Sequence, residues 1–317
     1  MAILLVAFAA GVNGQAWRPQ RSVELVVPTS PGGSLDATAR LLQSAAQVGR
    51  FVEHPMVVMN KGGGGGNIAQ SYIDQHAGDG HYLLISTMNI MTNHIQGRSK
   101  TTYVDYTPLA TLFSEYMTVV VKPDSPLRTG RDIQDRLKRD PQALSIAVGT
   151  ARGGINHLTI TLLAKAMGID AKKLKTVVFQ SNGDAQTALL GGHVDLSSLS
   201  MAAALRSSLD GTMRIIGVTS ERRGEGLLAK IPTWKEQGYD VVIGNTRLLF
   251  GAKGMSDAQT AYWDGVLARV VQSPEWKAEV ERNQAVPDYL NSKQSPQRMA
   301  EIYDQLKGAL TDAGMAK

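Results

Sequence analysis

From Val23 onward, short apolar runs alternate with glycine-bearing stretches and then with segments of helical period. The run VELVVP at 23–28 is brief and rich in β-branched residues, which predicts a buried strand. In SLDATARLLQSAAQ, residues 34–47, the apolar positions Leu35, Ala39, Leu42 and Ala46 recur at spacings of four and three, as on one face of a helix. Ser34 suits the N-cap of that helix, and Asp36 lies in its first turn, where a carboxylate complements the helix dipole. PMVVMN reads as a second strand, the glycines of 62–66 as a loop, NIAQSYIDQH as a second helix, and GDGHYLLIST as a turn and a third strand.

A second set opens near Tyr116. YMTVVVKP reads as a strand and RTGRDIQDRLKRD as a helix with a charged outer face. LSIAVGTARGGINHLTITLLAKAMG and KTVVFQSNGDAQTALLGG each run strand, glycine loop, helix. HVDLSSL and TMRIIGVTS are further strands, and DVVIGNTRLLFGAKG returns as extended chain. The remainder reads as helical, with Ser256-Asp257 capping one helix and Ser273-Pro274-Glu275 starting another. This alternation predicts α/β architecture with a mainly parallel sheet. Its two similar halves predict one domain from 17–120 plus 246–317 and a second from 121–245, joined by two crossover strands. A cleft between such domains is a favoured place for a ligand.

Composition narrows the function classes. The chain has 317 residues, a net charge of +5, and basic residues that form no runs interleaved with its 6% aromatics, so the footprint of nucleic-acid binding is missing. The absence of cysteine excludes thiol nucleophiles, disulfides and thiolate metal sites. At the N-terminus an apolar stretch from Ile3 to Ala10 leads to the small residues Gly14 and Ala16, which fits a signal peptide over 1–16 and export to the periplasm. The basic start of such a signal is missing, because no Lys or Arg precedes Arg18.

The chemistry-bearing motifs are few. Gly64, Gly66 and Ala69 fit a dinucleotide fingerprint, but no acidic residue ends the next strand and the first to follow is Asp105. There is no P-loop, no G-x-S-x-G elbow and no H-E-x-x-H pair. The six histidines lack metal-ligand spacing, so neither a metal nor a cofactor is expected. His157, just inside a helix after a glycine loop, is either a ligand contact or a structural hydrogen-bonder. Asp195 is either a site residue or a strand-end carboxylate that fixes a neighbouring loop. What remains is TSPGGS, GTARGGIN and QSNGDA, three glycine loops each delivering the chain to a helix start. Free N–H groups and the helix dipole make such a start attractive to a carboxylate or phosphate, and glycine allows close approach.

These same loops carry a family resemblance. VPTSPGGSLDATARLL, VVMNKGGGGGNIA, AGDGHYLLIST, SIAVGTARGGINHL and FQSNGDAQTALLGGHVDL, in that order, resemble the Bug or TctC family, the periplasmic solute receptors of tripartite tricarboxylate transporters. The resemblance runs from about Val23 to the C-terminus. It implies a type II periplasmic binding fold, a Venus flytrap without enzymatic activity, that works as a monomer, takes a small carboxylate and delivers it to membrane permease subunits. It places the ligand between Thr29, Ser30, Gly32, Gly33 and Asp36 on one side and Thr150, Ala151, Arg152, Gly153, Asn156 and His157, then Gln180, Ser181, Asn182 and Gly183, on the other. The chain departs from the family pattern at Phe179 and Ser181-Asn182, and at Arg152, which could pair with a second ligand carboxylate or face solvent. The competing class is an α/β nucleotide- or phosphate-dependent transferase that uses the same loops for phosphate.

Overall fold

The computed structural model describes residues 17–317 except Thr150 and Glu225; the signal peptide expected at 1–16 lies outside the described residues. In the first half of the molecule, β1 (Val23–Val27) lies between β2 (Met56–Asn60) and β3 (Tyr82–Ser86), and all three are parallel. The glycine loops after β1 and β2 lead into α1 (Ser34–Val48) and α2 (Asn67–Asp74), and β3 leads to α3 (Asn89–Ile95). In the second half, β5 (Ser145–Gly149) lies between β6 (Lys175–Phe179) and β7 (Leu196–Ser200), again parallel. Their loops open onto α5 (Ile155–Ala166), α6 (Asn182–Leu190) and α7 (Met201–Leu209). α4 (Gly130–Arg139) precedes this set, and β8 (Arg214–Val218) follows it.

One long strand ties the halves together. β4 (Thr107–Val121) pairs through its C-terminal part with β7 and β8. Through the rest of its length it pairs with β9 (Gly244–Gly251) and β10 (Val286–Leu290). β9 in turn pairs with β3, and the chain reaches it from the second half, where the Ile243 N–H bonds the Thr219 carbonyl. Extended chain therefore crosses between the halves twice, as the sequence pattern predicts. The C-terminal helices α8 (Asp257–Val270), α9 (Pro274–Arg282) and α10 (Ser295–Asp312) return to the first half, where Trp263, Val266 and Leu267 pack with Leu25 and Leu42 of β1 and α1.

Three local expectations are corrected. β4 begins nine residues before Tyr116, at Thr107. Pro108 and two register shifts break the apolar run there, so the pattern reveals only its second part. β10 falls in a segment read as helical; it contains Pro287 and is largely uncovered, so no periodic signal marks it. At the start of α1 the capping residue is Gly33, with extended backbone and no side-chain cap bond. The Ser34 hydroxyl is used across the cleft instead.

Candidate ligand-binding site

The loops at the C-terminal ends of β1, β5 and β6 face one another, so the N-termini of α1, α5 and α6 converge from both halves. Between them lies a polar cavity of about 30 Å³. Thr29, Gly33 and Ser34 line it from the first loop, Gly65 and Gly66 from the pentaglycine, and Thr87 and Asn89 from the end of β3. Asn156, Ser181 and Asn182 line the opposite wall, and Asn245 and Arg247 of β9 close the base.

The two walls touch directly. The Asn182 side-chain amide donates to Ser34 Oγ at 3.2 Å, Ser30 Oγ to Gln180 Oε1 at 3.4 Å, and Gln96 Nε2 to the Gly153 carbonyl at 2.6 Å. Asn89 Oδ1 accepts from the Ile155 N–H at 3.0 Å. A Cβ on Gly33 would stand 3.2 Å from Ser181 Cβ, and one on Gly65 would stand 2.9 Å from Ala151 Cβ. Gly65, with φ +68°, needs to be glycine, while at Gly33 a side chain would press on Ser181 across the cleft.

The first loop is braced from below. Asp36 is buried and accepts from the Gly32 N–H, Arg40 Nε and Asn60 Nδ2, each at 2.9 Å. Burial opposes ionisation of this carboxyl, but the Arg40 guanidinium and the two amide donors outweigh it and hold its pKa below the usual range. Gly32 has φ +82°, a conformation that glycine adopts without penalty. Asp36 thus shapes the loop with its oxygens occupied, whereas Thr29 Oγ1 is a buried hydroxyl with no partner among the described residues.

In the second half, Asn156 donates to Asn182 Oδ1 at 2.8 Å and to the Ser198 carbonyl at 2.6 Å, locking the two loops together. Ser181 caps α6 by accepting from the Asp184 N–H at 3.0 Å. Gly183 flanks Gly32, whose carbonyl would lie 3.2 Å from an added Cβ. His157 lies behind its loop: Nδ1 accepts from the Gly153 N–H at 3.0 Å, and burial, then Arg152 and Arg98, push its pKa down to about 4. The Arg152 guanidinium is exposed, donates to Thr176 Oγ1 at 3.3 Å, and borders a separate basic crevice with Arg98 and Lys172. Asp195 lies at the opposite end of the sheet from the cavity, where it accepts from the Ser145 N–H and hydroxyl at 2.7 and 2.6 Å and ties the starts of β5 and β7 together. Thr150 lies outside the described residues.

The pattern reading missed the base of the cavity. Arg247 on β9 and Glu115 on β4 form an ion pair with both side chains buried. Arg247 Nη2 also reaches Ser34 Oγ at 3.3 Å, while Glu115 Oε2 accepts from the Ala202 N–H at the start of α7 at 3.3 Å. The pair thereby touches a helix start in each half. A sequence signal existed: Arg and Glu are almost never fully buried unless paired, and each stands here inside a segment otherwise fit for a strand core. Among the described residues no group of His, Asp and Glu could hold a metal ion.

Paired α/β halves, two crossings and convergent helix starts at an interdomain cavity define the two-lobed periplasmic binding proteins. The chain belongs to the TctC family, the tripartite tricarboxylate transporter family receptors, whose profile matches residues 39–313. The solved periplasmic binding protein BugD superposes with a TM-score of 0.85 at 24% identity, covering 94% of this chain and 99% of that one. MatC from Rhodopseudomonas palustris with bound malate gives 0.82 at 21% identity, with coverage of 92% and 99%. A second R. palustris protein, with adipate, gives 0.85 at 23%, with coverage of 94% and 99%.

Proposed function

We propose that this protein is an extracytoplasmic receptor that binds one small carboxylate between its two lobes and presents it, unaltered, to the permease of a tripartite tricarboxylate transporter. The observation that carries this reading is the convergence of three helix N-termini, from both halves, on one polar cavity. Unpaired N–H groups at helix starts and their dipoles favour an anion. The Glu115 carboxylate at the cavity base is matched by Arg247, as that of Asp36 is by Arg40, so neither acid cancels the attraction of the helix starts for negative charge.

The lobes are taken as 17–120 with 246–317, and 121–245, and the protein acts as a monomer after removal of a leader near residue 16. Malate and adipate, bound in the two R. palustris neighbours, support the carboxylate class. Among the described residues no nucleophile with its base accompanies the loops, which is why the transferase alternative is not preferred. A thermal-shift screen of carboxylates against nucleotides separates the two, since a ligand selective for the native state raises its melting temperature. A carboxylate that shifts the melting temperature, with nucleotides silent, supports the receptor; the reverse supports the transferase.

A further inference from the structure

Away from the cavity, positive charge gathers in one place without an acid to balance it. A crevice of about 330 Å³ opens between the two halves and shares no lining residue with the cavity. Arg98 and Lys317 border it from the first half and Arg152 and Lys172 from the second; among the described residues no Asp or Glu does. Gln96 Nε2, two residues before Arg98, bonds the carbonyl of Gly153, next to Arg152, at 2.6 Å, which brings the two arginine-bearing stretches together. Lys172 Nζ lies 3.9 Å from the place of a Cβ on Gly314, in the facing C-terminal segment. Partial burial and then the like charge of Arg152 push the pKa of the Arg98 guanidinium down. Neither the Arg98 nor the Lys172 side chain makes an ion pair or hydrogen bond with the described residues, and Arg152 reaches only the Thr176 hydroxyl.

A second observation points the same way. The His157 ring lines this crevice and is recessed, at 8% exposure. A main-chain N–H can only donate, so the bond from Gly153 makes Nδ1 the bare nitrogen and leaves the proton of the neutral ring on Nε2. That Nε2–H makes no hydrogen bond to the described residues. A nearly buried donor left unmade is unfavourable, and an acceptor entering the crevice satisfies it.

We propose that this crevice is a second binding site, which takes a small free oxyanion of the phosphate or sulfate type between Arg98, Arg152 and Lys172 and satisfies His157 Nε2–H. A tetrahedral dianion offers acceptor oxygens in several directions, which suits donors that converge from two walls, and a guanidinium can pair with two such oxygens at once. A halide carries a single charge and leaves the cluster positive. No Phe, Tyr or Trp lines the crevice, so a nucleotide finds nothing on which to stack its base. His157 is recessed between the halves, where a soluble ion reaches it and a headgroup held in a bilayer does not.

The test is calorimetric titration of the full mature chain with sodium sulfate and with inorganic phosphate at low ionic strength, where screening is least. Both ions are expected to bind, and Arg98→Gln combined with Lys172→Gln, one exposed cation from each half, to weaken them about tenfold or more. Lys138→Gln combined with Arg139→Gln, two exposed cations on α4, is expected to leave binding unchanged. The ring of His157 gives a second readout by nuclear magnetic resonance. Sulfate remains a dianion where this ring titrates, and it is expected to raise the His157 pKa, about 4, by about 0.5 or more over its value in chloride of equal ionic strength. Failure of both ions to bind overturns the site, as does binding that Arg98→Gln with Lys172→Gln leaves intact or that the α4 pair weakens equally. A His157 titration identical in sulfate and chloride overturns it also. Retention on phosphatidylglycerol vesicles, with the free ions silent, would move the phosphate to a lipid headgroup and overturn it too. Each of these outcomes leaves the carboxylate receptor standing, because the cavity shares no residue with the crevice.

Discussion

His157 holds its loop through an unprotonated nitrogen: Nδ1 accepts the Gly153 N–H, and the ring is buried near two arginines. Its pKa falls from 6.5 to about 4 on folding. Below about 6.5 the unfolded chain takes up a proton that the native ring refuses until about pH 4, so the unfolded state binds more protons in that window and stability falls as the pH is lowered through it. Between pH 7 and pH 5 this one group removes about 2 kcal/mol. Urea unfolding of His157→Gln at the two pH values is expected to show that much less acid destabilisation than the parent chain; equal losses would mean that the ring takes up its proton as readily in the native state as in the unfolded one. At Gly33 the effect is steric. Valine there fits the backbone φ of −79° but drives its side chain into Ser181, 3.2 Å from the new Cβ. Gly33→Val is expected to keep a cooperative unfolding transition and to weaken a bound carboxylate by more than about tenfold, by calorimetry. Single residues were legible unevenly. Gly33 and the Asp36 first turn stood out because loop and helix patterns frame them. The outward course of Arg152 depends on a partner, Thr176, that only the fold brings near.

Among the elements, α6 contributes a helix start to the cavity, and its Ser181 both caps it and abuts Gly33. Ser181→Ala leaves the Asp184 N–H without its acceptor and is expected to cost about 1 kcal/mol of stability, measured by denaturant melts, with a loss of ligand affinity beside it. Ser181→Gly is expected to cost only a few tenths of a kcal/mol in stability. If Ala and Gly prove equally mild, the cap is not made. Strands with mostly apolar runs, such as β3, β5 and, but for Glu24, β1, could be read directly from the chain, because burial on both faces leaves little polar alternation. The first part of β4 and all of β10 could not. One carries a charged residue, a proline and register shifts on behalf of two half-sheets, and the other is an edge segment with Pro287. Their pairing is set by partners distant in sequence, which a local pattern does not encode.

Over the whole molecule, the repeated strand–loop–helix order foretold two similar halves, whose glycine loops meet at one cavity. It could not foretell that Arg247 and Glu115, 132 positions apart, meet at the cavity base. That contact arises from the β4–β9 pairing. Across the cleft the halves are held by a handful of polar contacts, those of Ser34 with Asn182, Gln96 with Gly153, and Asn89 with Ile155 among them. Ile155 and Leu158 of α5 also pack with Met88, Ile90 and Met91 of the first half. A ligand that bridges the lobes would bias them shut. The chain has no native cysteine, so a pair introduced at the exposed positions Ile68 on α2 and Val178 on β6 can be spin-labelled without background. The distance between the two labels, measured by pulsed electron paramagnetic resonance, tests closure directly. Saturation with a small carboxylate that binds is expected to narrow the distribution onto its shortest distances, while ATP leaves it unchanged. A distribution identical with and without the bound carboxylate would contradict a ligand held between the lobes.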